Sequence, residues 1–130
     1  MRRQLITSAV LASCLLLTSG LASAQDFDSA GEQQMLARIN AMRAAQSLPP
    51  LSRHDALDAA ARVHSSDMAS QGTLTHVSES TGTPSDRVRR AGVTAATIAE
   101  NVALHRTAAE AHEALIGSDA HRGNMMSSDA

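Results

Sequence analysis

Six histidines, His54, His64, His76, His105, His112 and His121, are the densest chemical resource of this 130-residue chain. Histidine exchanges protons near neutral pH and is the commonest metal ligand. No two of the six have the short spacing that sets a pair of ligands on one helix face, as in His-Glu-x-x-His, so any metal site must be assembled by the fold. Each also has a plain structural reading. His64 falls on an apolar helical stripe, where a hydrogen-bonded core histidine fits best. His54 lies in a first helical turn and His105 beside a turn, both solvated positions, and His112 faces another helix or water. His76 and His121 stand apart, because each sits in an irregular segment rich in Ser, Thr and Gly, where functional side chains concentrate.

The elements that must carry them follow from periodicity and caps. Ser29-Ala30-Gly31-Glu32 has capping-box spacing, and Met35, Leu36, Ile39, Met42 and Ala45 follow at helical period until Pro49-Pro50. Ser52-Arg53-His54-Asp55 opens a second helix in the same manner, with Leu57, Ala60, Ala61, His64 and Met68 along one stripe and Gly72 as its stop. Thr73 to Thr83 reads as a loop. Pro84 at a first helical position, with Asp86 in the first turn, starts a short helix that Gly92 ends. Thr97 to Leu104 has strand-like alternation and β-branched content. Thr107-Ala108-Ala109-Glu110 repeats the capping box for a fourth helix running to about Ile116, broken by Gly117-Ser118-Asp119. A lone strand leaves its amides and carbonyls unpaired on both edges, so strands beyond Ala130, a truncation or a mostly helical fold must account for it.

The chain opens with Arg2-Arg3, an uncharged apolar run from Leu5 to Leu17, and the small triplet Ala22-Ser23-Ala24. That is the layout of a cleaved export signal over residues 1–24, leaving a domain of residues 25–130. Leu5 to Ala24 is also about long enough for a membrane anchor, although its Ser and Thr residues dilute it. Leu11-Ala12-Ser13-Cys14 has the look of a lipoprotein box, although the apolar run continues past Cys14. The net charge is −2, and −4 without Arg2 and Arg3, which points to no nucleic-acid partner. Cys14 is the single cysteine and leaves with the signal, so no disulfide is expected in a compartment that would permit one. The core material is poor: alanine is abundant, Phe27 is the single aromatic residue, and lysine is absent. A chain of this size buries roughly 65% of its unfolded surface, enough for one core.

In register over Met35 to Met126, five segments resemble the CAP superfamily of cysteine-rich secretory proteins, antigen 5 and pathogenesis-related proteins, also called the SCP domain, in its bacterial secreted form. Leu36-x-x-Ile39-Asn40-x-x-Arg43 with Leu48-Pro49-Pro50-Leu51 is similar to the opening helix and its exit, and Leu57-x-x-Ala60-Ala61-x-x-His64-x-x-Asp67-Met68 to the second helix. His76 with Pro84-Ser85-Asp86-Arg87-Val88-x-x-Ala91-Gly92 resembles the first cavity histidine and the helix after it. Ala99-Glu100-Asn101-Val102-Ala103 is similar to the Gly-Glu-Asn motif, and Ser118 through Met126 to the Gly-His-Arg-x-Asn-Ile-Leu motif. The resemblance implies an α+β fold, an α-β-α sandwich with a central antiparallel sheet whose C-terminal strands are missing from this chain. It also implies a cleft that carries over here to His76, Glu100 and His121. Two imidazoles and a carboxylate suit a divalent ion such as zinc, with water in the fourth position; the same trio also works as a metal-free polar cluster. Ala99 and Ala120 stand where the family has glycine, which strains the backbone if φ is positive there. Leu115 replaces a common tryptophan, and the second cavity glutamate falls near Ser118.

The expected function is a secreted, extracellular or periplasmic, non-enzymatic binding module for a lipid or other envelope ligand. After signal cleavage no membrane span is expected. The alternatives are a metal-dependent hydrolase using the His76, Glu100 and His121 cleft, and an inactive remnant lacking its closing strands. The fold does not by itself fix an activity.

Overall fold

The computed structural model describes residues 11–12 and 27–129. The export-signal and lipidation readings fall on residues 1–24, which otherwise lie outside the described residues. In chain order the elements are β1 (Leu11–Ala12), α1 (Ser29–Ala45), α2 (Asp55–Gln71), α3 (Pro84–Arg90), β2 (Leu104–His105), α4 (Ala108–Ile116) and α5 (Asp119–Met125).

The helices begin where local chemistry supplies acceptors for their first amides, with two departures from the sequence reading. Asp28, not Ser29, caps α1, its carboxylate accepting from the Gly31 amide at 2.8 Å. Glu32 is thereby released to take the Arg53 guanidinium at 2.6 Å and that of Arg62 at 2.5 Å. His54, not Ser52, is the residue before α2 and makes no side-chain cap; it is half-buried, with a buried Nδ1 that lacks a partner, rather than solvated. α3 is built as its sequence predicts: the Thr83 hydroxyl accepts from the Asp86 amide, the Asp86 carboxylate accepts from the Thr83 amide, and Pro84 sits at the first turn. Thr107 caps α4 through its hydroxyl, which accepts from the Glu110 amide, while the Glu110 carboxylate accepts from the Arg106 amide and not from that of Thr107 as the capping-box spacing predicts. Gly72 closes α2 in the left-handed region at φ 62°.

The strand expected over Thr97 to Leu104 is corrected: only Leu104–His105 is extended and laddered, pairing in parallel with Leu11–Ala12 in the register Leu11 to Leu104 and Ala12 to His105. Asn101, Val102 and Ala103 ahead of it are buried by side-chain packing, which mimics strand alternation in sequence without a ladder. Among the described residues the antiparallel sheet implied by the resemblance is absent; an isolated antiparallel bridge joins Ser78 and Gly82. No strand follows α5 among them. The segment after Ile116, whose Gly and Ser residues predict an irregular break, forms the helix α5, so His121 lies on a helix and not in a loop.

α1 packs on α4, α4 on α5, and α2 on α3. The main core gathers Met35 and Ile39 of α1, Leu51, Ala103, Ala111 and Leu115 of α4, and Met125 of α5; Met68 and Val102 form a second, smaller cluster. Each large apolar side chain here contributes about 1.5–3 kcal/mol by burial, and there are few of them. Arg43 takes the third place of the Met35–Ile39 stripe, fully buried, where Met42 and Ala45 were expected inward and are half-buried and exposed.

Candidate functional site

His76 sits on the loop between α2 and α3, with its side chain 47% exposed, and its Nδ1 lies 3.0 Å from Glu100 Oε1. A carboxylate oxygen only accepts, so Nδ1 carries the hydrogen and Nε2 of the neutral ring holds a free lone pair directed away from the carboxylate. The second Glu100 oxygen accepts from Arg87 Nη2 at 2.6 Å, an ion pair whose side chains are 5% and 8% exposed. Arg87 is the organising group. Nη2 also donates to the His76 carbonyl at 3.0 Å, and Nη1 donates to the Gly82 carbonyl at 2.7 Å and to Thr81 Oγ1 at 3.4 Å. One guanidinium thus holds the backbone of His76 and the carboxylate that orients the ring. α3 delivers it, and the capping box holds α3: the Thr83 hydroxyl and amide together with Arg89 depress the Asp86 carboxyl to about 2.

His121 enters from α5 by another route. Its main-chain carbonyl accepts from Asn101 Nδ2 at 3.0 Å, and Asn101 Oδ1 accepts from Asn124 Nδ2 at 2.9 Å. Its ring makes no hydrogen bond with His76 or Glu100. So the structure joins His76 to Glu100 directly, and brings the His121 backbone beside them through Asn101. Among the described residues no group of three His, Cys, Asp or Glu side chains is placed to hold a metal ion. Both Glu100 oxygens are engaged, one by His76 Nδ1 and one by Arg87 Nη2, so the carboxylate stands here as the partner that orients the His76 ring, whose Nε2 keeps its lone pair.

Ala99 and Ala120 are not strained, because Ser47 is the single non-glycine residue with positive φ among the described residues. Ser118 precedes α5 as its cap residue, and Glu113 lies on α4 beside Arg38 at 3.9 Å. The remaining histidines divide. His64 is a satisfied core residue, as expected from its stripe, with Nδ1 2.7 Å from Thr81 Oγ1 and Nε2 2.8 Å from the Thr75 carbonyl. His112 is buried on α4, and among the described residues neither ring nitrogen is hydrogen-bonded, the Glu113 carboxylate standing 3.5 Å from Nδ1. Arg87 and Asn101 were present in the motifs without an assigned role. The available signal was weak, since Arg87 is followed by two further arginines, Arg89 and Arg90.

The curated protein YkwD of Bacillus subtilis (strain 168), itself described as uncharacterized, is 33% identical to this chain over 110 residues, 84% of the chain and 43% of YkwD. The chain therefore spans less than half the length of that relative. No solved structure matches it. The model of the cysteine-rich secretory protein family, CAP, matches residues 36–130, most of the chain and all five helices except the first turns of α1. The chain belongs to the CAP family of cysteine-rich secretory proteins.

Proposed function

We propose that the chain is a non-enzymatic binding module that acts outside the cytoplasm, at the cell envelope or beyond it, and that the His76, Glu100 and His121 cleft meets its ligand. The observation that carries this reading is the His76 imidazole, half exposed yet held by the buried Arg87–Glu100 pair. It offers a fixed hydrogen-bond acceptor, Nε2, at low entropic cost on binding. Its carboxylate partner orients it, and among the described residues no Ser, Thr or Cys is hydrogen-bonded to the ring. Leu74 and Val77, two residues before His76 and one after it on the same loop, are exposed apolar side chains. An amphipathic ligand such as an envelope lipid matches both features.

The test is sedimentation of the purified full chain with vesicles of bacterial envelope phospholipids and with insoluble peptidoglycan, beside His76→Ala. Saturable association with one of them, weakened at least tenfold in the variant, is expected. Absence of saturable association with both sinks the reading. Zinc titration of the same two proteins addresses the hydrolase alternative: stoichiometric zinc uptake by wild type that His76→Ala abolishes would favour it.

A further inference from the structure

The loop that carries His76 has almost no regular structure, yet four of the buried polar side chains of this chain, His64, Ser78, Thr81 and Arg87, belong to one connected hydrogen-bond network around it. We propose that His64 of α2 is a positioning residue for the cleft: its imidazole, in a single enforced tautomer, clamps the loop on both sides of His76.

The protons can be assigned from the acceptors alone. The Thr75 carbonyl, one residue before His76, only accepts, so His64 Nε2 donates to it at 2.8 Å and the hydrogen of the neutral ring is on Nε2. Nδ1 must then accept, and its neighbour at 2.7 Å is Thr81 Oγ1, whose one hydrogen is thereby committed. Ser78 Oγ, 2.8 Å from Thr81 Oγ1, has to be the donor of that contact, and it accepts in turn from the Thr81 amide at 3.0 Å. Ser80 donates to Asp67 Oδ1, which returns the chain of hydroxyls to α2 one turn after His64. Thr81 Oγ1 receives Ser78 and Arg87 on its lone pairs. The Thr81 and Ser78 hydroxyls have one direction, set by the tautomer of a side chain that is 0% exposed, and the Ser80 hydroxyl has its direction from the Asp67 carboxylate.

The consequence reaches the cleft through two carbonyls. Thr75 is bonded to His64 and adjoins His76, while Gly82 follows Thr81 and gives its carbonyl both to the Ser78 amide and to Arg87 Nη1. Loop residues 75–81 are therefore held at both ends by the same imidazole, and the Arg87 guanidinium that orients Glu100 finds its other acceptors in the loop from His76 to Gly82. Without the clamp, His76 and Glu100 keep their chemistry and lose their registration. A buried network in which each member is satisfied favours one arrangement over its neighbours.

This inference concerns the cleft of the proposed function and is read out without any ligand. The full chain is labelled with nitrogen-15 at histidine, and the imidazole nitrogen resonances, which lie far apart for protonated and lone-pair nitrogens, report the tautomer of each ring. In wild type His64 is expected as the Nε2–H form and His76 as the Nδ1–H form, the less populated one in free neutral histidine. In His64→Leu, with helical circular dichroism retained, His76 is expected to revert to the free-histidine mixture; His64→Gln, which keeps a donor for the Thr75 carbonyl, recovers part of the signal. If His64→Leu does not fold, Thr81→Val removes the hydroxyl that Nδ1 needs at nearly constant shape, and the same loss at His76 is expected. A wild-type His64 in the Nδ1–H form, or an unchanged His76 tautomer in folded His64→Leu or in Thr81→Val, overturns the proposal. Failure of envelope binding with these tautomers in place overturns the proposed function and leaves the clamp standing.

Discussion

Arg43 gives the sharpest stability prediction, because it is a cation at 0% exposure in the stripe that α1 turns to the core. Its Nε donates to the Pro49 carbonyl at 2.7 Å, and Nη1 donates to the carbonyls of Met125 at 2.8 Å and Ser127 at 2.9 Å, while Nη2 has no partner among the described residues. The side chain therefore ends α5 by taking the orphan Met125 carbonyl of its last turn and the Ser127 carbonyl just beyond it, across sequence separations of 82 and 84 residues. Burial opposes this and holds Arg43 below the ordinary arginine range. Consider Arg43→Met, which keeps the stem and removes the donors. The buried Met125 carbonyl loses its partner at a cost of about 1–3 kcal/mol. The Pro49 and Ser127 contacts are part-buried, so water recovers most of them and each costs about 0.5–1 kcal/mol. Relief of the guanidinium desolvation and of the unpaired Nη2 returns part of that, for a net loss of about 2–3 kcal/mol.

Against a total of about 5–15 kcal/mol for a chain of this size, that shift is large, and it corresponds to a fall in Tm of roughly 10–20 °C. The assay is thermal unfolding by circular dichroism of the two proteins at one pH, with Arg38→Met as control. Arg38 is a partly exposed partner of Glu113 at 3.9 Å, so its removal is expected to cost at most about 0.5 kcal/mol. A Tm for Arg43→Met within about 2 °C of wild type refutes the reading. So does a rise, which would mean that desolvation of the cation outweighs its three hydrogen bonds.

Three further outcomes follow from the cleft and its supports. Glu100→Gln leaves the Arg87 charge buried without a counterion and is expected to cost about 3 kcal/mol; in Arg87→Met plus Glu100→Gln part of that loss returns, so urea titrations of the singles and the double give a non-zero coupling, and strict additivity contradicts the pair. The Asp86 carboxyl is depressed to about 2 from 3.8 by the Thr83 hydroxyl, the Thr83 amide and Arg89, so its contribution is fully present above pH 3.8 and is lost as pH falls through 2; the slope of Tm against pH between 4 and 2 should flatten in Asp86→Asn, and an unchanged slope excludes that source. Gly82 has φ +74°, and a Cβ there would stand 2.9 Å from Asp86 Oδ2 and 3.1 Å from Arg90 Nη2, whereas Gly92 at φ +73° opens on free space; Gly92→Ala should cost about 1–2 kcal/mol for the backbone alone and Gly82→Ala more, and equal losses would show that the contact is relieved by movement of the two side chains.

The sequence was legible where a local rule decides the outcome and opaque where a distant partner does. Pro84, Asp86 and Thr107 announce their helices because caps act within four residues. Met35 and Ile39 announce a buried stripe, but the next member is Arg43, and nothing within its own helix says that the carbonyls of Pro49, Met125 and Ser127 await it. α5 was hidden for the same reason: Gly117 and Gly123 argue against a helix, and burial of Met125 with capture of its carbonyl by Arg43 overrides that weak local preference. Of the candidate site, His76 and Glu100 were reached through a family resemblance and are found bonded together, whereas Arg87 was indistinguishable in sequence from Arg89 and Arg90, which lie about 200° and 300° further round the helix and are exposed.

These cases share a physical cause. A chain with one aromatic residue and few large aliphatic ones cannot position its loops by packing alone, because dispersion and burial scale with the apolar area available. The interior is instead indexed by polar side chains that each bind several backbone carbonyls or partners at once: Arg43 joins α1 to α5, Arg87 joins α3 to the His76 loop and Glu100, and Asn101 joins the segment after Glu100 to α5 through the His121 carbonyl and Asn124. Hydrogen bonds are directional where apolar contacts are not. An interior indexed in this way therefore tolerates a small core while keeping the cleft in register. The same economy makes it sensitive to single polar substitutions far from the cleft, since each removes a joint and not merely a contact.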